Sequence, residues 1–162
     1  DFARMPKPIL KKNNLLDIIN DNLKLLKTLD ENIELNFINK KKEIFYRSDS
    51  EQLSRVFFNL IKNAIESVQE RSLETPNIKG KISIEINDYD DYIEFVTMDN
   101  GKGFKDLKNI KEILNPYFTT KKTGTGLGLA IVNKIVNDHN GSIKFTNFDG
   151  GAKVTVEFLK IK

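Results

Sequence analysis

The feature that most constrains the fold of this chain is a pair of strand-like segments joined by a short polar turn. Apolar residues alternate with polar ones over 82–86, and a second apolar run covers 93–98. A period of two predicts β-strands with one buried face, and the short connection predicts an antiparallel hairpin. A second hairpin is predicted near the end of the sequence, where strand patterns at 143–145 and 154–158 flank an Asp-Gly-Gly turn at 149–151.

Three segments have the period of an amphipathic helix instead. The first covers 15–29, the second 50–71 and the third 126–139, where an Asn-Gly pair ends it. Apolar residues recur in them at three- and four-residue steps and therefore share one face. Two short strands are predicted at 35–37 and 44–46. Because strands and helices form no repeating βαβ unit, we expect an α+β sandwich with helices on one face of a sheet.

Length and charge exclude several classes of protein. A chain of 162 residues suits one domain, and we expect a linker at 1–9, where two prolines interrupt regular structure, followed by the domain at 10–162. The 26 basic and 23 acidic residues are interspersed, which argues against a nucleic-acid-binding face. The lysine run at 40–42 is expected to be a solvated turn. Without cysteine, the chain has neither disulfides nor thiolate metal ligands.

Two asparagines and an aspartate are the first candidates for chemistry. Asn59 and Asn63 are four residues apart in the second predicted helix and therefore share a face. Their neutral amide oxygens suit Mg²⁺, a hard cation that takes oxygen ligands and keeps several waters. Asp99 directly follows a predicted strand, and its carboxylate can accept a hydrogen bond from an adenine amino group. Taken singly, each has an ordinary structural alternative, a surface amide or a turn aspartate.

Glycines follow in two groups, on either side of a long mixed stretch. Gly101 and Gly103 permit a tight turn beside Asp99. The second group leads into the third predicted helix, where backbone N–H groups can bind phosphates. It is neither a P-loop nor a dinucleotide-binding fingerprint, because the lysine and the glycine spacing of those motifs are absent. The order and separation of all these candidates predict an ATP site. The second group consists of Gly124, Thr125, Gly126, Leu127 and Gly128.

Four short motifs resemble, in order, the four boxes of the ATP-binding domain of sensor histidine kinases. The resemblance covers roughly residues 10–160. The opening residues 2–8 are similar to the junction after the dimerization helices in the NtrY-type nitrogen-regulation branch. The four motifs are Asn59-Leu60-Ile61-Lys62-Asn63-Ala64, Asp99-Asn100-Gly101-Lys102-Gly103, Pro116-Tyr117-Phe118-Thr119-Thr120-Lys121 and Gly124-Thr125-Gly126-Leu127-Gly128-Leu129.

The resemblance implies the Bergerat fold, a two-layer α/β sandwich in which a mixed, mostly antiparallel sheet of about five strands packs on about three helices beside an ATP lid. It implies ATP or ADP and Mg²⁺ as cofactors. The implied activity is that of a protein-histidine kinase, which transfers the γ-phosphoryl group to a histidine of an upstream dimerization domain for relay to a response regulator. His139, the only histidine, is expected to cap a helix, so residues that position ATP and Mg²⁺ are the only catalytic contribution expected here.

The resemblance also implies a role for each candidate residue. Asn63 would bind the metal with support from Asn59, and Asp99 with its two glycines would hold adenine. The segment 103–124 would form the lid, in which Phe118 packs on the core and Lys121 faces a phosphate. The glycines after the lid would bind the phosphates.

Two residues depart from the family pattern. Where many members carry Lys-Tyr, this chain has Glu66 and Ser67, which removes a phosphate cation and an adenine-stacking ring; the nitrogen-regulation branch shows a similar pair. Two other interpretations stay open. An ATP-hydrolysing relative of gyrase, MutL or Hsp90 would need a general-base glutamate where this chain has Asn59. A nucleotide-sensing or docking module without transfer activity would share every motif.

Partners and location are expectations from the resemblance. The expected partners are the upstream dimerization and histidine phosphotransfer domain and a response regulator, with no nucleic acid. We expect the chain itself to be mainly monomeric and the full-length protein to be a homodimer. It would be a cytoplasmic domain of a protein anchored in the bacterial inner membrane through upstream segments.

Overall fold

The computed structural model describes residues 5–105, 107, 114 and 128–161, and strands and helices account for most of them. In chain order the elements of this part are β1 (Lys11–Asn14), α1 (Leu15–Leu26), β2 (Glu34–Ile38), β3 (Phe45–Ser48), α2 (Ser50–Glu74), β4 (Lys81–Asp88), β5 (Tyr92–Asp99), α3 (Gly128–Asp138), β6 (Gly141–Phe148) and β7 (Gly151–Leu159).

Within the part of the chain that the structure describes, the main sheet has five strands in the order β2-β4-β5-β7-β6. Only the β2–β4 pair is parallel; β4–β5, β5–β7 and β7–β6 are antiparallel. Both predicted hairpins are therefore confirmed, as is the mixed, mostly antiparallel sheet. In the turn between β6 and β7, Asp149 and Gly150 have φ values of 52° and 84°. Positive φ at both central residues twists a two-residue turn to match its strands, which explains the Asp-Gly pair.

The hydrophobic core lies between the helices and one face of the five-stranded sheet. The apolar residues that gave α2 its helical period are all buried, and Phe57 packs against Phe95 of β5 with ring centroids 4.7 Å apart. Alternate residues of β4 and β7 face the same core. The predicted two-layer α+β sandwich is therefore confirmed. The buried α2 residues are Leu53, Val56, Phe57, Leu60, Ile61, Ala64, Ile65 and Val68.

One strand was not predicted. β1 has the sequence Lys-Lys-Asn-Asn, which has no apolar alternation, yet it pairs antiparallel with β3 in a separate two-stranded sheet. The two short strands predicted on either side of the lysine run consequently belong to different sheets. That run is exposed, as expected, and Lys41 pairs with Asp88 at 2.8 Å. Helix α1 ends three residues before its predicted limit, and α2 continues three residues beyond it.

No helix in the described ranges is long and apolar enough to cross a membrane.

Candidate functional site

Helix α2 supplies the two candidate amides. Asn59 and Asn63 are both half-buried and lie one turn apart on the border between the buried and exposed faces of the helix. The same border reaches Ser67 one turn later. Polar groups on such a border stay accessible while the apolar face of the helix fixes their position. The structure therefore brings together the two residues that the sequence predicts to share a metal ion.

Asp99 is the last residue of β5 and its carboxylate is held by the backbone. The Gly101 N–H donates to its Oδ1 at 2.8 Å, and the Ala152 N–H donates to the same carboxyl group. Burial raises the pKa of Asp99, and these two hydrogen bonds lower it but do not fully offset the burial. The carboxyl group is thus fixed and partly desolvated, which suits an acceptor for a ligand amino group.

Residues 99–104 form a turn that packs directly on α2, and we call this segment the β5 turn. A Cβ at position 101 would lie 2.3 Å from Ser67 Oγ and 2.6 Å from the Ser67 carbonyl carbon, so only glycine fits there. Ser67 Oγ also accepts a hydrogen bond from the Lys102 N–H at 3.1 Å. The serine at this position therefore links the two halves of the candidate site.

The start of the β5 turn is anchored by Asn100. Its Nδ2 donates to the Lys79 carbonyl at 2.8 Å, and its Oδ1 accepts from the Lys81 N–H at 2.8 Å. Arg71, near the end of α2, donates through Nε to the Asn100 carbonyl at 3.0 Å. The sequence had given no indication of a role for Arg71. Since its partner lies 29 residues away, no local pattern could have revealed the contact.

The far end of the β5 turn is anchored by Asn147 on β6. Its Oδ1 accepts from the Phe104 N–H and its Nδ2 donates to the Phe104 carbonyl, both at 2.8 Å. The Phe104 ring meets Phe145 edge-on, with centroids 5.5 Å apart. Gly103, with φ of 74°, lies where a Cβ would be 2.8 Å from the Gly150 carbonyl oxygen. The positive φ that glycine permits at position 103 is observed, whereas the role of Asn147 was not predicted.

Gly151 is the third residue whose role was not predicted. It begins β7, where a Cβ would lie 1.8 Å from the carbonyl oxygen of Asp99. Real Cβ atoms essentially never approach a backbone oxygen so closely, so the neighbouring strand can pass Asp99 only because residue 151 is glycine. The Asp-Gly-Gly sequence was assigned to a turn alone. Its second glycine is required by the packing of β7 on the candidate site.

Most of the lid and phosphate residues lie outside the described ranges. This applies to Phe118, Lys121, Gly124, Thr125, Gly126 and Leu127. Gly128 is described, and it lines a cleft of about 540 Å³ together with Asn59. The last glycine of the predicted phosphate segment and the first of the two amides therefore line the same cleft.

His139 is buried at 2% exposure and has a structural role. Its Nε2 accepts a hydrogen bond from the Asp49 N–H at 3.1 Å, so the proton is on Nδ1, which donates to the Ile135 carbonyl at 2.8 Å. The second bond satisfies a carbonyl in the last turn of α3, in agreement with the predicted capping role. The first bond joins α3 to the start of α2.

Comparison with known proteins identifies the family. A family model described as "Histidine kinase-, DNA gyrase B-, and HSP90-like ATPase" matches residues 48–162. The putative sensor histidine kinase NtrY-like of Rickettsia conorii is 34% identical over 158 residues, which are 97% of this chain and 25% of that protein. The catalytic domain of histidine kinase ThkA, in a nucleotide-free form, has a TM-score of 0.81 and 28% identity, covering 94% of this chain and 96% of that one.

A structure of ThkA in complex with response regulator protein TrrA shares the fold, with a TM-score of 0.77 and 24% identity over 94% of this chain and 42% of that one. The chain spans about a quarter of the length of the curated NtrY-like relative. The matched residues include both amides of α2 and the whole β5 turn. The chain belongs to the family of histidine kinase-, DNA gyrase B- and HSP90-like ATPases, and it is an ATP-binding domain of the sensor histidine kinase type.

Proposed function

We propose that this domain binds ATP with Mg²⁺ and presents the γ-phosphoryl group to a histidine on an upstream dimerization domain, from which it passes to a response regulator. The observation that carries the proposal is the carboxyl group of Asp99. It is half-buried, held by two backbone N–H groups and set in a turn that packs on the α2 flank bearing the two asparagines.

The described residues fit an adenine nucleotide. Two N–H groups hold the carboxyl group of Asp99, and its remaining lone pairs can accept a hydrogen bond from the amino group of adenine. Guanine has a carbonyl at that position and cannot donate this hydrogen bond. Asn63 and Asn59 offer neutral oxygens, which suit Mg²⁺ when the nucleotide phosphates supply the negative charge. Bound Mg²⁺·ATP would supply a phosphoryl group for in-line transfer, while these side chains orient the nucleotide. Lys121 and the glycines at 124, 126 and 128 are proposed phosphate donors, and Phe118 is proposed to pack the lid on the core.

Asn59 favours transfer to another protein over hydrolysis. An amide side chain does not take a proton from water, so this position provides no general base to activate water as a nucleophile. The acceptor histidine must then come from elsewhere, since His139 is buried and both of its ring nitrogens make hydrogen bonds. The upstream domain, the response regulator, the homodimeric state and the inner-membrane anchor of the whole protein are proposals that rest on the relatives.

Calorimetric titration of the chain with ATP, ADP and GTP, with and without Mg²⁺, tests the binding step. We expect binding of the two adenine nucleotides alone, with tighter binding in the presence of Mg²⁺. Absence of binding by a folded sample would overturn the proposal.

A longer protein that includes the upstream domain tests transfer. Incubation with γ-labelled ATP should place acid-labile label on a histidine. Nucleotide binding without any label would instead favour the docking module, and steady release of phosphate would favour the ATPase.

A further inference from the structure

Four residues at four-residue steps form a row that runs obliquely along α2: Arg55, Asn59, Asn63 and Ser67. Ser67 marks the end nearest the proposed adenine site, because its Oγ accepts a hydrogen bond from the β5 turn. At ~1.5 Å per residue, Arg55 lies about 18 Å from Ser67 along the helix axis. This distance is comparable to the length of an extended nucleoside triphosphate. A nucleotide with its base at Ser67 would therefore direct its phosphates toward Arg55.

The Arg55 end of this row opens on a cleft of about 540 Å³ between α1, α2 and α3. Arg55 and Asn59 line the cleft from α2, and Gly128 lines it from α3. The cleft is also lined by Asn22 and Ser54, which are joined by a 3.1 Å hydrogen bond. Phe58 and Ile131 add apolar walls, so the cleft has a mixed lining, and among the described lining residues only Arg55 carries a charge.

Arg55 is exposed, and no ion pair joins it to another residue in the part of the chain that the structure describes. A guanidinium group without a carboxylate partner is available for an anion. Gly128, which lies across the cleft, is the last glycine of the predicted phosphate segment. The cleft therefore combines a cation, an amide and a glycine whose predicted role is to approach phosphate.

Resting on the function proposed above, we propose that Arg55 binds the terminal phosphate of the nucleoside triphosphate and makes the site prefer ATP to ADP. The guanidinium group presents several N–H donors in a planar fork that matches the oxygens of a phosphate group. The β-phosphate of ADP would end nearer to Asn63 and would not reach this residue. Arg55 is thus assigned to discrimination between triphosphate and diphosphate, and not to recognition of the base.

The test compares a non-hydrolysable ATP analogue and ADP by calorimetry, with Mg²⁺, in the wild type and in Arg55→Gln. We expect the affinity for the ATP analogue to fall about tenfold to a hundredfold, the range for a charged hydrogen bond, and the affinity for ADP to change by less than about twofold. Arg55→Lys should recover part of the loss. Lys62→Gln is the matched control, because Lys62 is an exposed cation on the same helix and its ammonium lies over the Phe58 ring at 5.9 Å.

The possible results are distinguishable. If Arg55→Gln keeps the wild-type ratio between the affinities for the ATP analogue and for ADP, the proposed role of Arg55 is overturned. The proposed function of the domain would remain intact. An equal loss for both nucleotides, or an equal effect of Lys62→Gln, would also overturn it, since either indicates general electrostatics or misfolding. A folded wild type that binds neither nucleotide would overturn both proposals.

Discussion

Gly151 and Asp99 lie on neighbouring strands so close together that a Cβ on residue 151 would be 1.8 Å from the carbonyl oxygen of Asp99. The next residue, Ala152, donates its N–H to the Asp99 carboxyl group. The same strand start therefore sets both the backbone position and the side-chain orientation of the proposed adenine-binding residue. The pairing of β5 with β7 is in this sense part of the site.

Gly151→Ala should destabilise the domain and weaken nucleotide binding together. The added methyl group can be accommodated only if β7 moves away from Asp99, which we expect to cost about 1–3 kcal/mol of unfolding free energy, as for overpacked positions. Urea denaturation and ADP titration measure the two effects. Gly150→Asn is the control, because asparagine tolerates positive φ and no described atom lies within 4 Å of its Cβ position. Unchanged ADP affinity in Gly151→Ala would contradict the coupling.

Asn147→Ala should loosen the far end of the β5 turn without unfolding the sheet. Removing the side chain breaks both 2.8 Å hydrogen bonds to Phe104. We expect faster hydrogen exchange of the Phe104 amide, unchanged exchange in the β4–β5 pair, and nucleotide affinity reduced by severalfold. Asn36→Ala, which removes an exposed asparagine from the edge strand β2, is the control. If Phe104 exchanges at the wild-type rate in Asn147→Ala, Asn147 does not hold the turn.

Asp99→Asn should weaken nucleotide binding while making the free protein more resistant to unfolding near neutral pH. Burial raises the pKa of Asp99 above its ordinary value, so the folded state holds this proton more tightly than the unfolded state. The stability conferred by that proton is present below the ordinary pKa and is lost as the pH rises through the folded pKa. Asparagine cannot ionise, so the variant avoids this loss.

Thermal unfolding of the wild type and of Asp99→Asn from about pH 3 to pH 7 tests the sign. The melting temperature of the variant relative to the wild type should rise with pH over this range. ADP affinity at neutral pH should fall by at least about tenfold, because a charged hydrogen bond is lost. A melting difference that is constant across the range would show that the carboxyl group does not titrate differently on folding.

Asn63→Ala should reduce the advantage that Mg²⁺ gives to nucleotide binding. The amide oxygen is the proposed metal ligand, whereas the contacts of the base lie at the β5 turn. Titration with ADP should therefore give similar affinities with and without Mg²⁺ in the variant, and an affinity close to the wild type when Mg²⁺ is absent. Asn59→Ala should give a smaller effect in the same direction. A variant that keeps the full Mg²⁺ dependence would exclude Asn63 as a ligand.

Periodicity was sufficient to predict both hairpins and the three helices of the described ranges. The alternation at 82–86 and the apolar stripe of α2 show which residues are buried. Each of these elements buries one face, and for that reason its period is visible in the sequence. The strand β1 was missed because its residues are polar. Its strand conformation comes from pairing with β3 and not from a local preference.

The amino-acid sequence by itself determined which side chains are available to the site. The order of the asparagines, Asp99 and the glycines was sufficient to recognise the family and to predict an ATP site. Only the tertiary structure decided how that site is held. Arg71 reaches Asn100 across 29 residues, Asn147 reaches Phe104 across 43, and Gly151 passes beside Asp99 on a neighbouring strand. Such contacts depend on how distant segments pack, and a local pattern records only whether a residue is buried, turning or exposed.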